Sequence, residues 1–214
     1  MSCIEERLLG ISYLKNENLS KHTTFRIGGP ADYFICPENT DELKRVILVF
    51  DRFFVIGNGS NLLFSDDGYR GAVIKYSDSS ISVLGDKLVC GSGALMSKIA
   101  AIAYENSLCG FEFASGIPGS IGGGVRMNAG AYGSCVSDVL VSSIVFNADS
   151  GQVFPMSVNA HGFDYRKSIF MENKNLICIG ANFSLKPCET EKIYAKMNEY
   201  ISSRKEKQPL EYPS

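Results

Sequence analysis

Histidine is scarce in this chain: only His22 and His161 occur among 214 residues, so a multi-histidine metal site is not expected, and no metal is. Cysteine is present but unpatterned. Cys3, Cys36, Cys90, Cys109, Cys135, Cys178 and Cys188 are odd in number and scattered. None forms a C-x-x-C pair, which removes the zinc and thioredoxin-like readings. Reduced, buried small hydrophobes are the expectation for most of them. No apolar run approaches the roughly 20 residues that span a bilayer. The opening Met-Ser-Cys-Ile-Glu-Glu-Arg mixes charges and has no apolar core of a signal peptide, so a cytoplasmic location is expected. A net charge of −2 gives no general pull toward nucleic acid. The G-x-G-x-x-G fingerprint is missing. Gly57 and Gly59 are followed by Leu62, and Gly91 and Gly93 by Met96, where a third glycine belongs. No G-x-x-x-x-G-K-[ST] phosphate loop occurs either.

What remains is ordinary globular composition, 45% hydrophobic and 21% charged, without internal repeats. Helical and strand patterns alternate, which indicates α/β or α+β architecture. A helix is predicted from Asn39 or Thr40, with Leu43, Val46, Ile47 and Phe50 on one face. A second runs from about Leu95 to Asn106, with Ser92 as a capping residue, and a third from about Thr190 to Lys205. Phe53–Ile56, Gly71–Ile74, Val139–Phe146 and Leu176–Leu185 read as strands. The tail from Gln208 to Ser214 reads as a linker with something following it.

Two glycine-rich loops stand out. One is Gly57-Asn58-Gly59-Ser60-Asn61, directly after a strand. The other starts at Gly116-Ile117-Pro118-Gly119-Ser120-Ile121-Gly122-Gly123-Gly124 and continues to Gly133; residues 116–133 hold seven of the 21 glycines. Such density costs backbone entropy, so the fold requires unusual dihedrals or close backbone approach there. Loops without side chains let N–H groups converge on an anion such as a pyrophosphate, with Ser60, Asn61, Ser120 and Asn128 as added donors. These features point to a diphosphate-containing ligand without saying which.

His22-Thr23-Thr24-Phe25-Arg26-Ile27-Gly28-Gly29-Pro30-Ala31, Gly57-Asn58-Gly59-Ser60-Asn61-Leu62-Leu63, Ala114–Gly123 and Met127–Gly133 follow one another in order. Phe163-Asp164-Tyr165-Arg166-Lys167-Ser168 and the run Arg204–Ser214 complete the set. Over roughly residues 19–214 this pattern resembles the UDP-N-acetylenolpyruvoylglucosamine reductase (MurB) family. The resemblance implies an α+β chain with a two-subdomain FAD-binding fold of the vanillyl-alcohol oxidase (PCMH) type, the C-terminal substrate domain absent. It divides the chain into an N-terminal extension (1–18), FAD-binding subdomains 1 (19–76) and 2 (77–188), and a helix and linker (189–214). It implies non-covalent FAD, NADPH as reductant, and reduction of UDP-N-acetylglucosamine enolpyruvate to UDP-N-acetylmuramate for peptidoglycan synthesis, in a monomer with neither nucleic-acid nor membrane partner.

By the same resemblance, FAD contacts come from Gly57, Asn58, Gly59, Ser60, Asn61 and Leu62. Ser115, Gly116, Ile117, Pro118, Gly119, Ser120, Gly122 and Gly123 supply more, and Asn128, Ala129 and Gly130 lie near the flavin. Arg166 corresponds to the catalytic arginine, whose guanidinium suits a substrate carboxylate and the charge that develops beside it. Tyr165 is a pocket or a core tyrosine. Arg204 is a substrate-facing cation or simply a charge suited to a helix C-terminus. Arg126 faces a phosphate or solvent, and His22 is structural. The family continues with an Ala-Gly-Ser-x-Phe-Lys segment, whose serine donates the proton, and has a glutamate nearer its C-terminus; neither is in this sequence. An incomplete reading frame is the favoured explanation over natural truncation or a partner chain. Two rival functions are an FAD-binding module without turnover and another flavin oxidoreductase of the same fold, acting on an alcohol or sugar.

Overall fold

A computed structural model describes residues 3–208. The linker expected up to Ser214 therefore lies, from residue 209 on, outside the described residues.

The first layer contains α1 (Cys3–Arg7), β1 (Ser12–Asn18), β2 (Pro30–Cys36), α2 (Thr40–Ile47), β3 (Phe53–Ile56) and β4 (Tyr69–Lys75). The strands form a sheet of order β1-β2-β4-β3, with β1 antiparallel to β2 and both β2 and β3 parallel to β4. β2 and β4 are the interior strands, and Ala72, Val73 and Ile74 of β4 are all buried, as expected where both faces are covered. α2 starts where the sequence predicts. The Asn39 side chain accepts from the Glu42 N–H at 2.9 Å, and the Glu42 carboxylate accepts from the Glu38 N–H at 2.8 Å, so each satisfies an otherwise orphaned donor. Residues 12–18, assigned from the sequence to an N-terminal extension, are the edge strand of this sheet.

The second layer contains β5 (Ile81–Leu84), β6 (Lys87–Gly91), α3 (Met96–Glu105), β7 (Leu108–Cys109), α4 (Ile121–Arg126), β8 (Gly130–Ala131), β9 (Ser134–Cys135), β10 (Leu140–Asn147), β11 (Val153–Ser157), α5 (Ile169–Glu172), β12 (Leu176–Ser184), β13 (Lys186–Pro187) and α6 (Thr190–Lys207). Its main sheet is antiparallel, with order β11-β10-β12-β6-β5. β12 serves two cores. Ile177 and Ile179 pack with Leu8, Ile35, Leu43, Val46 and Ile74 of the first layer, whereas Cys178, Ala181 and Phe183 pack with Met96, Ile99 and Ile121. Strict alternation cannot divide these residues so. The β10–β12 pairing jumps from Ile144↔Gly180 to Val145↔Cys178, and that bulge at Ile179 shifts the alternation by one residue.

Two expectations need correcting. Ser92 does not cap α3: Leu95 occupies the cap position without a side-chain bond. The Ser92 backbone is used elsewhere, its N–H donating to the Ile179 carbonyl and its carbonyl accepting from Gly122. Cysteine burial is less general than expected. Cys90 and Cys178 are buried and their thiols are pushed up to about 12 by desolvation, so they stay protonated. Cys36, Cys109, Cys135 and Cys188 are only partly covered.

His161 is fully buried between two hydrogen bonds. Its Nδ1 lies 2.8 Å from the Ser157 carbonyl and so carries the proton; Nε2 accepts from the Ser143 hydroxyl at 2.8 Å. Burial lowers its pKa from the ordinary 6.5. The unfolded chain then binds more protons below that value, so the stability contributed by the neutral ring is present above pH 6.5 and is lost as the pH falls below it. Melting scans from pH 8 to pH 5 are expected to fall more steeply for the wild type than for His161→Asn; parallel curves would contradict this.

Candidate functional site

The two glycine loops meet at one end of the layers. Gly57–Leu62 leaves β3, and Gly116–Ser120 leads into α4. Asn58 ties them together, its amide donating to the Pro118 carbonyl at 2.6 Å. Glycine is required at the contact itself. A Cβ on Gly57 would lie 2.3 Å from Ser120 Oγ, and Gly59, at φ +67°, would place one 1.9 Å from the His22 carbonyl oxygen. The second loop is stitched to the start of α3, with Met96 N–H donating to Gly119 O at 3.0 Å and Ile121 N–H to Ala94 O at 2.8 Å.

Between the loops lies a cavity of about 840 Å³. Gly57 to Leu62, Gly116 to Ser120, Gly123, Ala129 and Gly130 line it, together with Arg166 and Arg204. Phe54, Ile56, Met96, Phe113 and Ile117 give it apolar walls. Arg126, Arg166, Arg204 and Lys207 face it, and among the described residues no aspartate or glutamate does. A site with cations, backbone amides and no carboxylate suits an anionic ligand. The hydroxyls of Ser115 and Ser120 are buried without a protein partner, an arrangement that natural proteins rarely leave unexplained. A smaller cavity of about 130 Å³ shares Phe54, Gly57, Ser120, Gly123 and Arg126 with it and is closed by Tyr76, Phe170 and Ile177.

The arginines differ in setting. Arg166 is exposed, sits at φ +54°, and donates to the Gly130 carbonyl at 2.9 Å. Arg204 is half-buried and donates to the Gly116 carbonyl. Arg126 donates to the Phe170 carbonyl, and burial lowers its pKa. Four residues singled out from the sequence do not line this cavity. Gly122 lines the smaller one. Ser115 lies just behind the loop. Asn128 is a brace, its side chain bonded to the Asp164 carbonyl and the Ser137 N–H. Tyr165 is 87% exposed and touches the Arg166 guanidinium rather than the pocket. His22 stacks on Phe34 at 3.8 Å and bonds Glu17 at 3.0 Å, a structural role as expected. Missed from the sequence were Phe54, Met96, Tyr132, Ser203 and Lys207. Of these, Lys207, one turn beyond Arg204, and Tyr132, inside the Met127–Gly133 run, carried a signal.

Residues 31–156 match the model of a family described as "FAD binding domain". The UDP-N-acetylenolpyruvoylglucosamine reductase of Caldanaerobacter subterraneus is 45% identical over 204 residues, covering 93% of this chain and 67% of that protein. That of Clostridium novyi is 39% identical, covering 98% and 69%. The chain belongs to the UDP-N-acetylenolpyruvoylglucosamine reductase family. The solved structure of the Thermus caldophilus reductase superposes with a TM-score of 0.79 at 30% identity, over 92% of this chain and 70% of that one. A glucose dehydrogenase, Phl p 4.0202, superposes at 0.65 with 14% identity over 88% of this chain and 45% of that one, which speaks to fold alone. The α+β, two-subdomain fold of the vanillyl-alcohol oxidase type is therefore shared well beyond the reductase family. Relative to its reductase relatives, the chain spans about two thirds of their length.

Proposed function

We propose that this chain is the flavin-binding body of an NADPH-dependent reductase that converts UDP-N-acetylglucosamine enolpyruvate to UDP-N-acetylmuramate, a step of peptidoglycan precursor synthesis. The observation that carries the reading is the cavity: two glycine loops braced by Asn58, lined by cations without a carboxylate, in a member of the reductase family. FAD fits the residues present. The glycine loops admit its diphosphate against backbone N–H groups, the orphaned Ser120 hydroxyl gains an acceptor, and Ile117, Ala129 and Gly130 offer a flat wall for a ring system. The smaller adjoining cavity has apolar walls suited to a planar base. Bound FAD supplies a carrier that takes a hydride from NADPH and releases it to the enolpyruvyl carbon.

The protein's own part is electrostatic and positional. Among the described residues, Arg166 makes one hydrogen bond, to Gly130 O, which leaves guanidinium N–H groups for a substrate carboxylate. Held there, it lowers the energy of the negative charge that builds next to that carboxylate during hydride addition. Arg204, on α6 and fixed against Gly116, adds a second cation. Tyr165 covers one side of Arg166 and so restricts where its guanidinium can reach. The protein is expected to bind one FAD per chain without a covalent bond, and NADPH is expected to bleach that flavin anaerobically. A protein that shows no flavin absorbance after reconstitution and desalting would refute the reading.

A further inference from the structure

We propose that Tyr132 is a positioning residue that holds the last turn of α6, and with it Arg204, over the cavity. It lies within the Met127–Gly133 run but was given no role there, and three independent features single it out. Its backbone sits at φ +56°, a conformation that is an outlier for a bulky residue and persists only where surrounding structure enforces it. Its ring lies on that of Tyr200, with centroids 4.1 Å apart and planes 3° from parallel. Its hydroxyl donates to the Tyr200 carbonyl at 2.7 Å. That carbonyl is the one the α-helical pattern pairs with the Arg204 N–H.

α6 needs such a latch. Ile193 is buried, and Met197 and Tyr200 pack against the core of the second layer. Beyond Tyr200 no described residue packs against that core: Ile201, Ser203 and Arg204 are half-buried, and Lys205, Glu206, Lys207 and Gln208 are exposed. Yet Ser203, Arg204, Lys207 and Gln208 line the cavity. Among the described residues, the Arg204 bond to Gly116 O and the Tyr132–Tyr200 contact are the hydrogen-bonded links from this end to the glycine loops. The same short turn is tied to the other arginine, because Gly130 accepts from Arg166. Tyr132 thus lets one strained turn set the spacing of both cations. Its consequence for the flavin rests on the cofactor reading above; its grip on α6 does not.

Glycine accepts φ +56° without strain, so Tyr132→Gly removes the side chain without asking the backbone to move. Hydrogen exchange of the flavin-free protein is the first readout. Amides in 201–207 are expected to exchange at least about tenfold faster in Tyr132→Gly, with 190–199 unchanged, since a helix end without tertiary contacts frays locally. Tyr132→Phe, which keeps the stack and loses the hydroxyl, is expected to remain within about threefold of the wild type, and Tyr200→Leu to reproduce the glycine variant. Unchanged exchange at 201–207, or acceleration along the whole of α6, would overturn the proposal. The second readout is FAD affinity in a double-mutant cycle. Arg204→Ala is expected to weaken binding about tenfold in the wild type and less than about twofold in Tyr132→Gly, because coupled sites are non-additive. Additive losses would also overturn it. The exchange experiment needs no flavin, so it decides on Tyr132 even if the cavity takes no FAD.

Discussion

Gly59→Ala is expected to lower FAD affinity by at least about 100-fold, a loss of about 2.7 kcal/mol. Two costs combine. Gly59 lies at φ +67°, where an L-residue pays about 1–2 kcal/mol. The added Cβ would also sit 1.9 Å from the His22 carbonyl oxygen and 2.9 Å from the Thr23 Cα, and both are backbone atoms. No flexible side chain can give way. The loop must move, and it carries the Asn58 brace to Pro118 and the Gly59 carbonyl that accepts from Thr24. Gly85→Ala separates the two costs. It sits at φ +64° in a hairpin with nothing within 4 Å of the new Cβ, so it pays the dihedral cost alone and should leave FAD affinity within about twofold. Equal affinities for the two variants, measured by flavin fluorescence titration, would contradict a cofactor seated on this loop.

Arg166→Ala is expected to slow transfer from reduced flavin to the enolpyruvyl substrate by about 10²–10³-fold, the range for loss of one preorganised charge-stabilising donor. FAD affinity should change by less than about threefold, since Arg166 is exposed and, among the described residues, its hydrogen bond to the loop is the one to Gly130 O. Arg166→Lys should recover little, because an ammonium cannot present two parallel N–H groups to a carboxylate. Stopped-flow measurement of the return of oxidised-flavin absorbance reads the step directly. A variant that transfers at the wild-type rate would remove Arg166 from the chemistry.

Much of the site is legible in the sequence because its constraint leaves a local mark. Gly57 and Gly59 make room for Ser120 and for the His22 backbone, and that need shows as glycine density. α2 announces itself through Asn39 and the burial of Leu43 and Val46. Other parts depend on partners far along the chain. β1, Ser-Tyr-Leu-Lys-Asn-Glu-Asn, is an edge strand with no fully buried residue, so no apolar alternation reveals it. The bulge at Ile179 is invisible because it exists only in the pairing with β10. Tyr132 and Tyr200 are 68 residues apart, and neither carries a local pattern that predicts their stack. Asn128 and Tyr165 show the reverse. Motif position drew them toward the ligand, whereas local geometry gives Asn128 to backbone bracing and leaves Tyr165 outside the cavity.

The most direct test is to load the protein with FAD, reduce it anaerobically with NADPH, and mix it with UDP-N-acetylglucosamine enolpyruvate. Return of the oxidised-flavin spectrum with that substrate, and not with glucose, is the predicted result. A flavin that stays reduced with the enolpyruvyl substrate, or is reoxidised by glucose instead, would contradict the account.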